Sequence, residues 1–534
     1  ADPEGIVFGD EYWIYPTYSA AYDDQIFMDA FSSKDLVNWT KHPKVLSKEN
    51  ISWLRRALWA PAVIHANDKY YFFFGANDIQ NNNELGGIGV AVADNPAGLF
   101  KDALGKPLID KRVNGAQPID QFVFKDDDGQ YYMYYGGWGH CNMVKMAPDL
   151  LSIVPFEDGT IYKEVTPQNY VEGPFMLKHN GKYYFQYGAP GTEFKVYADG
   201  VYVSDSPLGP FTYQQHNPMS YKPGGFVQGV GHSGTFQDLK GNYWHVGTCM
   251  LSLKYKFERR IGLYPTAFDP DGVMYSTTAF GDYPCWNADY DIKNPADRFT
   301  GWMLLSYEKP VKVSSTDSIY SASNLTDENM RTYWAAKTGE PGEWIEIDLG
   351  AMKHIKAIQL NYYDHKSVQH NRANDLYYQY RIYSSDNGTD WTLAVDKSDN
   401  DKDVPHDYIE LGETLDARYL KLENIHVPSG NFCLSEFRVF GFADGEKPLP
   451  VRNFKVVRDK QDKRNAMISW NPSSDAYGYN IYYGIAPEKL YNCITVNGAD
   501  HYDFRGLDLG TTYYFAIEAL NESGRSALSK VVKQ

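Results

Sequence analysis

Asp2, Trp59, Asp120, Glu172 and His232 stand at matched distances from a recurring aromatic motif. Trp59, Asp120, Glu172 and His232 each lie eleven residues before the first Tyr of that motif (Tyr70, Tyr131, Tyr183, Tyr243), and Asp2 lies ten before Tyr12. Equal offsets predict one shared structural position for all five. Three carboxyl groups brought together repel one another unless they are used. The chemistry that uses such a set is hydrolysis of a glycosidic bond. A protonated acid serves the leaving oxygen, an ionised carboxylate works across the sugar ring, and a third carboxylate raises and orients the acid. Asp2, Asp120 and Glu172 are therefore the candidate catalytic residues.

The elements that must position them repeat five times in the first 290 or so residues. GDEYWIYPT from Gly9, NDKYYFFFGA from Asn67, DGQYYMYYGG from Asp128, NGKYYFQYGA from Asn180 and KGNYWHVGT from Lys240 each join a hairpin turn to a short aromatic strand. Their spacing of roughly 50 to 60 residues suits one four-stranded propeller blade. DNPAGLF (94–100) and DSPLGPF (205–211) match each other, and SSKDLVNW (32–39) is a looser copy; these predict a turn late in each blade. Five blades place the starts of five innermost strands around one axis, so the acids should converge at a funnel. Sugar faces stack on aromatic rings, which makes Trp59 and Trp138 candidates for its wall, with blade packing as the alternative for either.

Five motifs in order, A-D-P-E at Ala1, W-A-P-A-V at Trp59, I-D-Q-F-V-F at Ile119, V-E-G-P-F at Val171 and G-H-S-G-T-F at Gly231, resemble glycoside hydrolase family 43 over about residues 1 to 285. The resemblance implies a five-bladed β-propeller and an inverting mechanism. In it Asp2 is the general base, Glu172 the general acid, and Asp120 tunes and holds Glu172. It makes His232 an axial histidine that meets calcium or a water cluster in the central channel. It also places one arginine, Arg259 or Arg260, on sugar hydroxyls; strand alternation allows only one of the two to point inward. Invertase-like propellers carry N-D-P-N-G and R-D-P, where this chain has A-D-P-E and I-D-Q. The single S-x-D-x-G-x-x-W box at 384–391, outside the repeats, reads as a hairpin turn.

The pattern breaks over a linker or wrapping segment, 286–300. Residues 301–443 carry SASNLTDENMRTYWAA, GEWIEIDLG, YRIYSSDNGTDW, ARYLKLE and LSEFRVFG, which resemble the coagulation factor 5/8 type C (discoidin-like) β-sandwich. That resemblance implies a structural calcium held by Asp327, Thr332 and Glu436 with carbonyls near Asn324 and Asn329, the alternative being a solvated acidic loop. Residues 449–534 carry MISWNP, YNIYYG and LDLGTTYYFAIEALNESGRS, similar to a fibronectin type III domain with Trp470 in its core and Tyr513 as its tyrosine corner. The whole chain is thus expected to be all-β.

A net charge of −17 argues against nucleic acid or an anionic membrane as a partner and is compatible with a neutral polysaccharide. Five scattered Cys make neither a zinc motif nor a disulfide framework and read as buried free thiols. No apolar run is long enough to span a bilayer. The abrupt start at Ala1-Asp2-Pro3 reads as a trimmed mature chain, secreted, periplasmic or on the cell surface. The expected activity is exo-acting, inverting removal of a terminal sugar, first α-L-arabinofuranose, from polysaccharide or oligosaccharide side chains, by a monomer that needs no organic cofactor. β-Xylosidase, β-D-galactofuranosidase and endo-arabinanase activities are the rivals. A non-catalytic carbohydrate-binding or adhesion protein is the rival of another class.

Overall fold

Alternation along the aromatic repeats sends successive rings to opposite faces of each strand, and both faces are buried. In Lys69–Ala76, Phe72 and Phe74 join Trp13 and Met28 of the first blade, whereas Tyr71 and Phe73 join Met133 and Val144 of the third. The same division recurs around a closed cycle. Tyr134 and Met143 pack with Phe185 and Tyr202, Tyr184 and Val201 with Met274, and Phe236 and Trp244 with Tyr12 of the first blade. Five apolar interfaces close the ring, and burial of whole aromatic faces (~1.5–3 kcal/mol per side chain) makes them its main adhesive.

The computed structural model describes residues 1–368 and 375–534. Each blade is an antiparallel sheet in simple strand order. The innermost strands are Glu4–Phe8, Trp59–Ala66, Phe122–Lys125, Glu172–His179 and Gly231–Gln237. They do not pair with one another, so side chains join them. The Glu4 carboxyl, pushed up to about 8 by burial, accepts the Val63 N–H, and Gln121 donates to the Ala60 carbonyl. The segment 286–298 belongs to the propeller unit. There Arg298 lies over the Trp244 ring at 4.5 Å and donates to the carbonyls of Trp286, Asn287, Tyr290 and Ile292.

The equal-offset expectation needs one correction. Residues 2, 60, 120, 173 and 232 all have left-handed backbone, with φ of 48°, 44°, 56°, 63° and 45°. These five are the true equivalents, one per blade at the start of its inner strand, and at three of them (60, 173 and 232) the pairing register shifts beside the residue. Trp59 and Glu172 lie one residue earlier, paired with Gly75 and Gly188. The cause is turn length. His65 pairs with Tyr70 and Lys178 with Tyr183, but Lys125 pairs with Tyr131 and Gln237 with Tyr243, so the hairpins of the third and fifth blades are one residue longer. Bulges re-aim side chains, which is how residues of both registers reach the axis.

A second unit comprises 224–227, 279–285 and 299–534. Its larger sheet is built on two long strands, Trp344–Tyr362 and His406–His426, with Cys433–Phe442 beside the first. It encloses Trp334, Ile345, Ile347, Leu360, Leu420 and Phe437. The last domain has a three-stranded and a five-stranded sheet. Trp470 is buried against Tyr479, and the Tyr513 hydroxyl accepts the Asp508 N–H at 3.2 Å. Four of the cysteines are buried thiols in no disulfide among the described residues; Cys285 is exposed, against expectation, because it lies in the irregular stretch after the fifth blade.

Candidate active site

Left-handed residues at the mouth of the propeller bring the acids together. Asp2 and Asp120 are almost fully buried, at 5% and 7% exposure, and Glu172 is partly buried as a residue. The Asp2 N–H donates to Thr248 Oγ1 at 2.9 Å, fixing the residue to the fifth blade. Arg259 is the inward arginine: its Nη1 donates to Asp2 Oδ1 at 2.6 Å. Arg260 lies on the other face of the strand, with Nη1 on the Arg259 carbonyl at 3.0 Å. His232 Nδ1 is 3.4 Å from Asp2 Oδ1 and 3.9 Å from Asp120 Oδ2. Asp120 Oδ2 accepts the Gly173 N–H at 3.3 Å, next in sequence to Glu172.

These surroundings sort the carboxyls into two kinds. Burial opposes ionisation of Asp2, but the Arg259 guanidinium, followed by His232, overcomes it and holds Asp2 well below the usual carboxylate range. Glu172 goes the other way. Burial is the main cause, Asp2 adds repulsion, and a hydrogen bond from Tyr197 (Oη to Oε1, 2.6 Å) and the charge of Arg259 hold it back, leaving it at about 7. Asp120 is also pushed up, by burial and then by Glu172 and Asp2. The Asp120–Glu172 pair therefore keeps a proton where two solvated carboxyls would keep none. His232 is lowered to about 4, mainly by burial, and is a neutral imidazole at neutral pH. One ionised carboxylate and one protonated carboxyl in the same funnel are the requirements of acid–base hydrolysis.

Trp59 lies buried beside Arg259. Its ring meets Tyr22 and Phe257 edge-on at 5.3 and 5.5 Å, and the Arg259 guanidinium lies over it at 5.5 Å. Its indole N–H and Arg259 Nη2 are buried donors without a partner among the described residues. Two orphan donors beside an aromatic ring suit a ligand rich in hydroxyls. Trp138 is 47% exposed, at φ 59°, with Arg112 at 4.7 Å over its ring. Tyr22, Phe257 and Tyr197, outside the repeat, and Thr17, which ends its first copy and accepts the Ala60 N–H at 2.8 Å, also surround these residues and are not reached by the offsets.

The two calcium expectations fare differently. Among the described residues no group of three or more His, Cys, Asp or Glu is arranged to hold a metal. In the channel His232 offers one nitrogen, and the adjacent carboxylates already face Arg259 and the Gly173 N–H, so these residues form no calcium cage of their own. In the discoidin-like domain the fit is better. The Asp327 and Glu436 side chains meet within hydrogen-bonding reach, and Glu436 Oε2 is buried without a hydrogen-bond donor among the described residues. Both are pushed up, Asp327 by burial and Glu436 by burial and then by Glu328 and Asp327. The Thr332 hydroxyl lies 2.7 Å from Asp327 Oδ2 and 2.9 Å from the Asn329 carbonyl, and the Asn324 amide donates to the Tyr333 carbonyl. An oxygen-only donor set with an orphaned carboxylate oxygen suits a hard cation.

The family model for glycosyl hydrolases family 43 matches residues 1–274, that for the F5/8 type C domain 310–437, and that for the fibronectin type III domain 449–534. A β-D-galactofuranosidase of Aspergillus niger is 40% identical over 262 residues, which cover 46% of this chain and 72% of that protein. The xylosidase/arabinosidase 43A of Humicola insolens is 31% identical over 331 residues, covering 51% of this chain and 95% of its own. A solved glycoside hydrolase superposes with a TM-score of 0.51 at 21% identity, covering 82% of this chain and 97% of that one, a likeness of fold alone.

Proposed function

The chain belongs to glycosyl hydrolases family 43, and from that premise we propose that it removes terminal α-L-arabinofuranosyl residues from polysaccharide or oligosaccharide side chains with inversion at the anomeric carbon. One observation carries the acid–base part of this reading: Asp2 faces the Arg259 guanidinium whereas Glu172 faces the neutral Tyr197 hydroxyl, surroundings that drive the two carboxyls in opposite directions. Asp2 takes a proton from a water, whose oxygen bonds to the anomeric carbon. The glycosidic C–O bond breaks as the Glu172 proton passes to the departing oxygen. Asp120 stands beside Glu172 and keeps the acid charged with its proton until that moment. Arg259 holds Asp2 by one nitrogen and offers the other, Nη2, to a sugar hydroxyl. Trp138 offers an exposed ring to the next sugar of the chain.

The 40% identity to a β-D-galactofuranosidase favours a second reading. β-D-Galactofuranose has the ring stereochemistry of α-L-arabinofuranose and a longer exocyclic arm, so one pocket distinguishes them by depth. Nitrophenyl α-L-arabinofuranoside, β-D-galactofuranoside and β-D-xyloside compared by kcat/KM test the choice. The first reading predicts the arabinofuranoside ahead, and a dominant galactofuranoside establishes the second. Proton spectra of the first-formed sugar test inversion; early appearance of the retained anomer contradicts it. We further propose that Asp327, Thr332 and Glu436, with the carbonyls of Asn324 and Asn329, hold a structural calcium that joins their loop to the sandwich.

A further inference from the structure

Tyr197 reaches Glu172 through a slot that glycine alone keeps open. The ring is 1% exposed and passes between Gly188, the backbone partner of Glu172, and Gly231, at the start of the fifth blade's inner strand. A Cβ at 188 would stand 2.8 Å from the Tyr197 hydroxyl and 2.8 Å from the backbone nitrogen of His232; a Cβ at 231 would stand 2.7 Å from the Tyr197 ring. The backbone is pinned at both ends, Tyr197 N–H to the Phe194 carbonyl at 3.0 Å and Val230 N–H to the Tyr197 carbonyl at 2.8 Å. Burial, followed by the charges of Glu172 and Asp2, pushes the phenol well above its ordinary range, so it stays a donor at every working pH. Its one side-chain acceptor is Glu172 Oε1 at 2.6 Å; Oε2 makes no hydrogen bond among the described residues.

We propose that Tyr197 is the positioning residue of the proton-donating carboxyl. By donating to Oε1 it leaves the transferable proton on Oε2, aimed at the glycosidic oxygen, and it stabilises the carboxylate that forms there. This rests on Glu172 acting as the general acid. In the step, the proton leaves Oε2 for the departing oxygen as the C–O bond breaks, and the charge left on Glu172 is shared with the Tyr197 O–H. A hydrogen bond to a group that becomes charged gains strength as the charge develops, so the contribution falls on kcat rather than on substrate affinity. The phenol is buried and has no surface to offer a sugar, so KM should stay close to the wild-type value.

The test uses leaving groups that need the acid to different degrees. Tyr197→Phe in the full chain should lower kcat by about tenfold to a hundredfold on an alkyl furanoside or a natural oligosaccharide, the range for losing a bond to a charged group. On a 2,4-dinitrophenyl furanoside, whose leaving group departs without a proton, the loss should stay within about twofold. The basic limb of the pH profile should move upward, because a hydrogen bond that favours the ionised form of Glu172 has gone. Equal losses on both substrates, no loss on either, or an unmoved basic limb overturn the proposal. Glu172→Gln separates the two claims. If it shows the leaving-group dependence and Tyr197→Phe does not, only the role of Tyr197 falls; if Glu172→Gln lacks it too, the general-acid reading falls. Should Tyr197→Phe fail to accumulate as folded protein, Gly231→Ala carries the same test, since the three atoms nearest its methyl all belong to the Tyr197 ring, and the same outcomes decide.

Discussion

A carboxyl group becomes an acid or a base through its neighbours, and here one arginine makes the difference. Asp2 faces Arg259 at 2.6 Å; Glu172 faces a phenol and two other acids. Glu172→Gln and Asp2→Asn should each lower kcat by about 10² or more, the ordinary scale for losing an acid or base. Wild-type rates in either variant would contradict the assignments. The sequence made the acids visible through their offsets, and alternation narrowed the inward arginine to two residues. Choosing Arg259 required the register of its strand against Met250, which the turns alone do not fix. Tyr197 was hidden for a similar reason: it meets Glu172 through strand pairing in the fourth blade, and neither residue's immediate sequence carries a sign of it.

At the scale of elements, the decisive device is the left-handed residue at each inner-strand start. Repeated turns and aromatic pairs made the blades legible, and their alternation explains the closed ring of buried interfaces. The one-residue difference between hairpins was not legible as a shift in register, since D-D-D-G and D-L-K-G turns look like their shorter counterparts until pairing is seen. Gly173 tests the element directly. It has φ 63°, and a Cβ would stand 2.8 Å from the His232 ring, whereas Gly181, at φ 76°, has open space around it. Gly181→Ala should cost only the left-handed penalty of about 1–2 kcal/mol. Gly173→Ala should cost more in denaturant unfolding and should also depress activity by displacing His232 and the N–H that serves Asp120. Equal stability losses with unchanged activity in both would show that the bulge does not set the site.

On the scale of the whole molecule, the chain carries a glycoside hydrolase propeller and a second unit in which the loop residue Asp327 meets Glu436 of a strand. Motif order made all three folds legible, because each has a core signature that survives without its loops: paired aromatics, IEIDL-type alternation, and Trp470 with Tyr513. The proposed calcium site depends on carbonyl directions, which side-chain identity does not report. Calcium at about a hundred times its dissociation constant should add ~2.7 kcal/mol to the folded unit. At ~2–4 °C per kcal/mol for a unit of this size, that raises its melting temperature by about 5–10 °C. Chelation should reverse the shift and Glu436→Gln should abolish it; a melting curve indifferent to calcium would refute the site.

The central claim is that Glu172 is protonated and Asp2 ionised in the same funnel at working pH. The pH dependence of kcat/KM measures this directly, in the wild type and in Glu172→Gln. An acid must hold its proton, so activity should be present below about 7 and fall as pH rises through the raised pKa of Glu172. A base must have lost its proton, so the acidic limb should lie below the ordinary carboxylate range, where Arg259 holds Asp2. In Glu172→Gln the fall near 7 should vanish from whatever activity remains. A basic limb that persists unchanged in that variant, or an acidic limb in the ordinary carboxylate range, would contradict the account.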